Sequence, residues 1–413
     1  MVRWQKWLKY LPILLLLFVC AGCGSAIGIK WSREDAAPNL SQTETAKTAE
    51  REAESLPQAK QIAPDPETSE VEETWQGVFY YAYSTLGTFE EQQLYREILN
   101  SLLSCEAETE LSTLREELLE PVFECVMADH PEIFYVDGYT STTYKLGDEL
   151  KKITFSGTLT MEQEEIDRRK EQLEAVVAQW LSEAEKMENA YEKVKYLYEY
   201  LILHTDYELG CEDSQNICSV LLNGTSVCQG YAKTLQFLCQ KLNIPAMLVC
   251  GKVKEQGHAW NMIQMEDGCW YYIDPTWGDA SYLQEDGTIY TEQSFPAVNY
   301  DYFCVTAEQL VKTHELSETI DLPECSAVKY NYYRMEDLYL EGADEAKLAE
   351  IFGRASEFGW ETVTFQCANE VVYDTVYQML IEDQKIFDYL SGKEGTVAYS
   401  DSRQNRTFNF WLQ

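Results

Sequence analysis

Cys228 lies in the run Gly224-Thr225-Ser226-Val227-Cys228-Gln229-Gly230-Tyr231-Ala232. His258 follows in Gly257-His258-Ala259-Trp260-Asn261, and Asp274 in Tyr272-Ile273-Asp274-Pro275-Thr276-Trp277. A thiol, an imidazole and a carboxylate can act as nucleophile, base and orienter of the base. The chain of 413 residues holds 4 histidines, so few Cys–His pairings are open to it. Each residue alone has a plainer role: a core thiol such as Cys239, a satisfied strand histidine, or a turn aspartate before proline. The chemistry is worth proposing only if the fold brings all three together.

The elements around them predict that it does. After Cys228, Tyr231, Leu235, Leu238 and Leu242 recur at helical spacing, and Asn243-Ile244-Pro245 marks the end of that helix. Cys228 thus falls in a first turn, where unpaired N–H groups and positive partial charge favour a thiolate. Gly230 permits close approach at this turn, and Gly224 suits the loop entering it. Ala246 to Gly251 reads as a strand, followed by a hairpin of His258 to Met265 and Cys269 to Asp274. A two-residue turn at Asp267-Gly268 would put His258 and Asp274 on opposite faces. A three-residue loop, Glu266-Asp267-Gly268 with a left-handed glycine, puts them on the same face. We expect the latter, with Met265 and Cys269 closing the loop.

The other histidines have weaker claims. His130 precedes Pro131 and reads as a turn residue. His204 sits at a helix end, where its charge suits the dipole. His314 reads as structural, with a place lining the cleft as the alternative. Gln215, thirteen positions before Cys228, is an oxyanion candidate beside the Cys228 backbone N–H, and equally a plain loop residue.

The three motifs together resemble the transglutaminase-like domain, a branch of the papain-like cysteine enzymes. The resemblance covers about residues 215 to 280 and weakens toward His314. It implies an α+β fold whose core is a Cys-bearing helix packed on an antiparallel sheet. It also implies that Cys228 is the nucleophile, His258 the base and acid, and Asp274 its partner. The expected reaction is acyl transfer through a thioester, from a protein or peptide substrate to water or an amine. The alternative is a silent binding module for envelope peptides or proteins. No cofactor or metal is expected, since the calcium sites of some crosslinking relatives have no visible counterpart.

The rest of the chain sets the context. With 70 acidic and 32 basic side chains the formal charge is -38, which disfavours nucleic acid as a partner. Arg3, Lys6 and Lys9 precede the apolar stretch Leu11 to Val19, which reads as a secretory signal. Ala21-Gly22-Cys23 resembles the lipobox of bacterial lipoproteins, with Cys20 where leucine is usual. We therefore expect a signal peptide over 1–22, a lipid on Cys23 and an extracytoplasmic protein held at the cell membrane. An uncleaved anchor is the alternative. Residues 23–73, polar and acidic, read as a disordered tether.

A helical region with short strands is expected over 74–188, the catalytic domain over 189–318, and a small α/β module over 328–413. In the first of these, Thr88-Phe89-Glu90-Glu91 is a capping box, a second helix is expected from about Ser112, and a long one over Thr160 to Lys186. Three short strands are expected at Ile133 to Asp137, Ser141 to Lys145 and Lys151 to Ser156. Among 13 cysteines no CxxC pair occurs, which argues against a zinc ribbon or thioredoxin-type site. Cys239 and Cys250 read as buried free thiols, and a Cys211–Cys218 disulfide is left open. The oligomeric state is not legible.

Overall fold

The computed structural model describes residues 78–279, 297–317, 322–390 and 397–412. The signal peptide, Cys23 and the tether lie outside these. No helix among the described residues is long and apolar enough to cross a membrane.

In the N-terminal region a single helical turn at Tyr81–Thr85 precedes α1 (Phe89–Ser104). Its capping box forms as expected: the Glu91 N–H donates to Thr88 Oγ1 at 3.2 Å and the Thr88 N–H to Glu91 Oε2 at 2.8 Å. The next helix, α2 (Leu119–Asp129), starts later than expected. Pro121 is the reason, because proline is tolerated only in the first helical turn. The three short strands are in fact two long ones, β1 (Val136–Leu146) and β2 (Glu149–Leu159). Tyr139 and Thr140, read as a gap, pair with Gly157 and Ser156, and Gly147 turns the chain at φ 66°. Two helices lead onward: α3 (Gln163–Ala184) and α4 (Ala190–Leu203), the latter capped by Asn189.

The central region contains α5 (Cys228–Lys241) and the strands β3 (Ala246–Val253), β4 (Gln256–Gln264), β5 (Trp270–Ile273), β6 (Phe303–Val305) and β7 (Glu315–Leu316). The sheet is antiparallel, in the order β7-β3-β4-β5-β6. The helix is apolar on one stripe in sequence yet buried all round from Gly230 to Gln240. Its polar side docks the N-terminal region: Gln236 Nε2 donates to the Ala128 carbonyl at 2.8 Å and Gln240 Nε2 to that of Asp129 at 2.9 Å. On its other side Ala232 packs against Leu248 and Ala259 of the sheet. This is the α+β arrangement expected of a papain-like core.

The C-terminal module comprises β8 (Tyr339–Leu340), α6 (Glu345–Phe358), β9 (Thr362–Cys367), α7 (Glu370–Tyr377), β10 (Ala398–Ser402) and β11 (Thr407–Trp411). Its sheet order is β8-β9-β11-β10, with β8 parallel to β9 and the rest antiparallel. Half-buried Asp301 of the central region anchors it, accepting from Tyr333 at 2.6 Å, Asn405 at 2.9 Å and Thr407 at 3.0 Å. One apolar cluster runs from Leu94 through Tyr198 to Phe410, so the three regions share a core.

Candidate active site

Cys228 is the first residue of α5, following Val227 in extended conformation. The turn is compressed. A Cβ on Gly230 would lie 2.0 Å from Ser226 Oγ and 2.6 Å from Ser219 Oγ, so no other residue fits there without movement. Gly224 has φ +68° where the chain enters. The Cys228 side chain is half-buried, within reach of solvent. The other cysteines expected to be buried follow suit unevenly: Cys239 is fully buried and Cys250 half-buried. All described cysteines are free, so Cys211 and Cys218 are not joined.

The hairpin has the expected loop. The Met265 N–H donates to the Cys269 carbonyl at 3.0 Å, the Gly268 N–H to that of Met265 at 2.9 Å, and Gly268 has φ +76°. Asn261 is opposite Ile273, so His258 and Asp274 share a face. His258 Nε2 lies 2.7 Å from Asp274 Oδ2. This leaves Nδ1 as the ring nitrogen open to the Cys228 thiol, whose sulfur helps to raise the ring's pKa.

Asp274 is pinned on all sides. Its Oδ1 accepts the N–H groups of Thr276 (2.9 Å) and Trp277 (3.1 Å), capping a short helix that begins at Pro275. Its Oδ2 accepts from a second imidazole as well, His314 Nε2 at 2.9 Å. His314 is 1% exposed, boxed by Trp260, Trp277 and Tyr302, with Thr313 Oγ1 2.7 Å from its Nδ1. It is delivered by β7, which pairs with Lys252 and Gly251. Gly251 makes that possible, since a Cβ there would lie 2.1 Å from the Glu315 carbonyl oxygen.

His314 is the site residue that the sequence reads as structural, with a place lining the cleft only as the alternative. The signal for it is weak: one histidine forty residues past Asp274. His130 is buried at the end of α2, its Nδ1 2.8 Å from Glu132. His204 stacks on Tyr200 at 3.8 Å, at the C-terminus of α4. Neither is hydrogen-bonded to His258 or Asp274. Gln215 sits in the loop whose Ser214 carbonyl accepts from Val227, the residue before Cys228, at 3.4 Å. It lines an adjoining cavity and makes no hydrogen bond to the imidazole–carboxylate cluster.

Charge follows this geometry. Burial pulls the His258 pKa down, but the Asp274 carboxylate and the Cys228 sulfur outweigh it and push it up to about 10. Burial pushes the Asp274 pKa up, yet the two imidazoles hold its carboxyl well below the usual carboxylate range. The ring therefore carries its proton at neutral pH beside a sulfur, an arrangement suited to a thiolate–imidazolium pair. His258, Asp274 and His314 also form the one cluster among the described residues that could hold a metal ion, their ligand atoms all within 4.8 Å. Both Nε2 atoms already bond to the same Asp274 oxygen, which accounts for that proximity without an ion.

A family model for the transglutaminase-like superfamily matches residues 178–275, which include Cys228, His258 and Asp274. The chain carries a transglutaminase-like domain. The match stops short of His314, so the fourth member of the cluster lies beyond the transglutaminase-like segment itself. No curated protein sequence matches the chain.

Among solved structures, a TGase is 17% identical over 40% of this chain and 50% of its own, with a TM-score of 0.26. A candidate cysteine protease from Cytophaga hutchinsonii is 17% identical over 33% and 61%, at 0.23. The periplasmic domain of TgpA from Pseudomonas aeruginosa, bound to ethylmercury, is 16% identical over 34% and 66%, at 0.22. The chain thus covers between half and two thirds of the length of each. These likenesses are too partial to carry an argument about the reaction.

Proposed function

We propose that the protein is an extracytoplasmic cysteine acyl-transfer enzyme, tethered to the bacterial membrane through lipid on Cys23. The observation that carries this reading is the buried His258–Asp274 pair at 2.7 Å, whose ring the sulfur of a half-buried thiol at a helix start helps to hold protonated. In the proposed reaction the Cys228 sulfur attacks an amide carbonyl of a peptide or glutamine side chain. The Cys228 backbone N–H and the Gln215 side chain hold the resulting oxyanion. The tetrahedral adduct collapses when the His258 imidazolium protonates the departing nitrogen, leaving a thioester and a neutral ring. Water or an amine then gives its proton to His258 as it attacks, and the acid or new amide leaves as the sulfur departs.

Hydrolysis is favoured over crosslinking, because water is abundant at a cell surface and no amine subsite is marked. The test is mass spectrometry of the purified protein with a peptide library, with and without a primary amine. Backbone cleavage marks a peptidase, and replacement of ammonia by the amine at glutamine marks a transglutaminase. Absence of any turnover, with Cys228 no more reactive to iodoacetamide than a free thiol, would leave the silent binding module instead.

A further inference from the structure

Between the N-terminal region and α5 lies a cavity of about 280 Å³. One wall is apolar, built from Met127, Ile133, Phe134 and Val136. Two buried polar groups also line it: Lys233, 8% exposed, and His130, 2% exposed. Neither ending is satisfied. No hydrogen bond or ion pair joins the Lys233 ammonium to any described residue, and His130 Nε2 has no partner although its Nδ1 meets Glu132. A buried cationic group without a partner is costly and calls for a ligand or counter-charge. Burial pulls the Lys233 pKa down to about 8, with the Cys250 thiol pushing the other way, so the amine is still charged at neutral pH.

Two carboxylates share the cavity wall. Asp213 is paired with Arg169, which neutralises it. Asp137 is half-exposed, where water screens its charge. The uncompensated charge in the interior is therefore positive. The cavity also borders the loop that is bonded to the turn entering α5. Gln215 and Ser214 are on its wall, and the Ser214 carbonyl lies 3.4 Å from the N–H of Val227 and 3.1 Å from Ser226 Oγ. Lys233 stands on α5 five residues after Cys228.

We propose that this cavity is a carboxylate-binding subsite for the acyl donor, in which Lys233 receives an acidic side chain carried next to the reacting amide. The proposal rests on the reading of Cys228 as nucleophile for its link to catalysis, but the binding itself does not. It is therefore tested on the full chain carrying Cys228→Ala, where no turnover can interfere. The probes are N-acetyl-glutamyl methylamide and its isosteric glutaminyl counterpart, titrated by NMR at neutral pH.

The acidic probe should bind at least about tenfold more tightly, as a charge-assisted contact in a buried site allows. Adding Lys233→Met should erase that preference while leaving the glutaminyl probe and the melting temperature unchanged. Lys233→Arg should retain it, and Asp137→Asn should leave it equal or larger. Equal binding of the two probes would overturn the proposal, as would a preference that survives Lys233→Met. Loss of the preference in Asp137→Asn would show that Lys233 is held by Asp137 as a structural pair, and would overturn it too. A wild-type protein without turnover that still shows the preference would refute the reaction and leave the subsite standing.

Discussion

Helix α5 carries a cysteine near each end, and the two differ in everything but their side chain. Cys239 is 0% exposed within apolar neighbours, and burial alone pushes its pKa far up, so it remains a thiol. Cys228 opens the same helix, half-buried and close enough to act electrostatically on a buried imidazole that a carboxylate holds in place. Backbone and residue type are shared; the helix end and the neighbours are not. Reactivity in this fold is thus a property of where the side chain stands.

The sharpest break of that comparison is substitution of each cysteine in turn. Cys228→Ala should lower turnover on the order of 10⁵-fold or more, because nucleophile and base act as a unit. Cys239→Ala should leave turnover intact and cost about 1 kcal/mol of stability through the small cavity it opens. Steady-state kinetics with urea unfolding of both variants reads the contrast. Comparable turnover in the two would erase it.

The next effect is on the carboxylate. Asp274→Asn should reduce kcat on the order of 10³- to 10⁴-fold by altering the hydrogen bonding that sets the His258 tautomer. Asp274→Ala should also destabilise the fold by about 3–5 kcal/mol, since it strips the acceptor from two buried imidazoles and two backbone N–H groups. Thermal unfolding alongside kinetics separates the two effects.

In the proposed mechanism His314 acts through Asp274, as a positioning residue. Removing its hydrogen bond in His314→Phe leaves the carboxylate more basic, so Asp274 should hold the His258 proton more strongly. The expected result is a fall in kcat of about tenfold with the His258 titration moved further up, read by NMR of the ring. A kcat loss with an unmoved titration would mean His314 only fills space.

The smallest effect is on stability against pH. The folded pKa of His258 is raised, so its contribution is fully present below the unfolded value and is lost as pH rises toward about 10. The folded pKa of Asp274 is depressed, so its contribution is present above the unfolded value of 3.8 and is lost as pH falls below that. Urea midpoints across pH should therefore decline at both limits, and the alkaline decline should flatten in His258→Gln.

How much of this was readable in advance depended on the range of the information. The parity of the hairpin follows from counting residues between His258 and Asp274, and a Gly at position 268 selects the loop. The start of α5 follows from helical spacing after Cys228 and from Gly230. Each is local, and each is seen in the structure. His314 could not be placed in this way, because its position depends on how β7 returns to pair with β3 across a glycine. The burial of the polar side of α5 was equally hidden, since Gln236 and Gln240 look solvent-facing until the N-terminal region supplies carbonyls for them. In β1 and β2, strands with few buried residues, the apolar pattern is too sparse to mark their length.

The most direct measurement is the site of alkylation when the native protein meets limiting iodoacetamide at neutral pH, located by peptide mass mapping. Modification should concentrate on Cys228, spare Cys239, and fall to the level of an ordinary thiol in His258→Ala. Labelling of Cys228 that is slow in the native protein and indifferent to the loss of His258 would contradict the account.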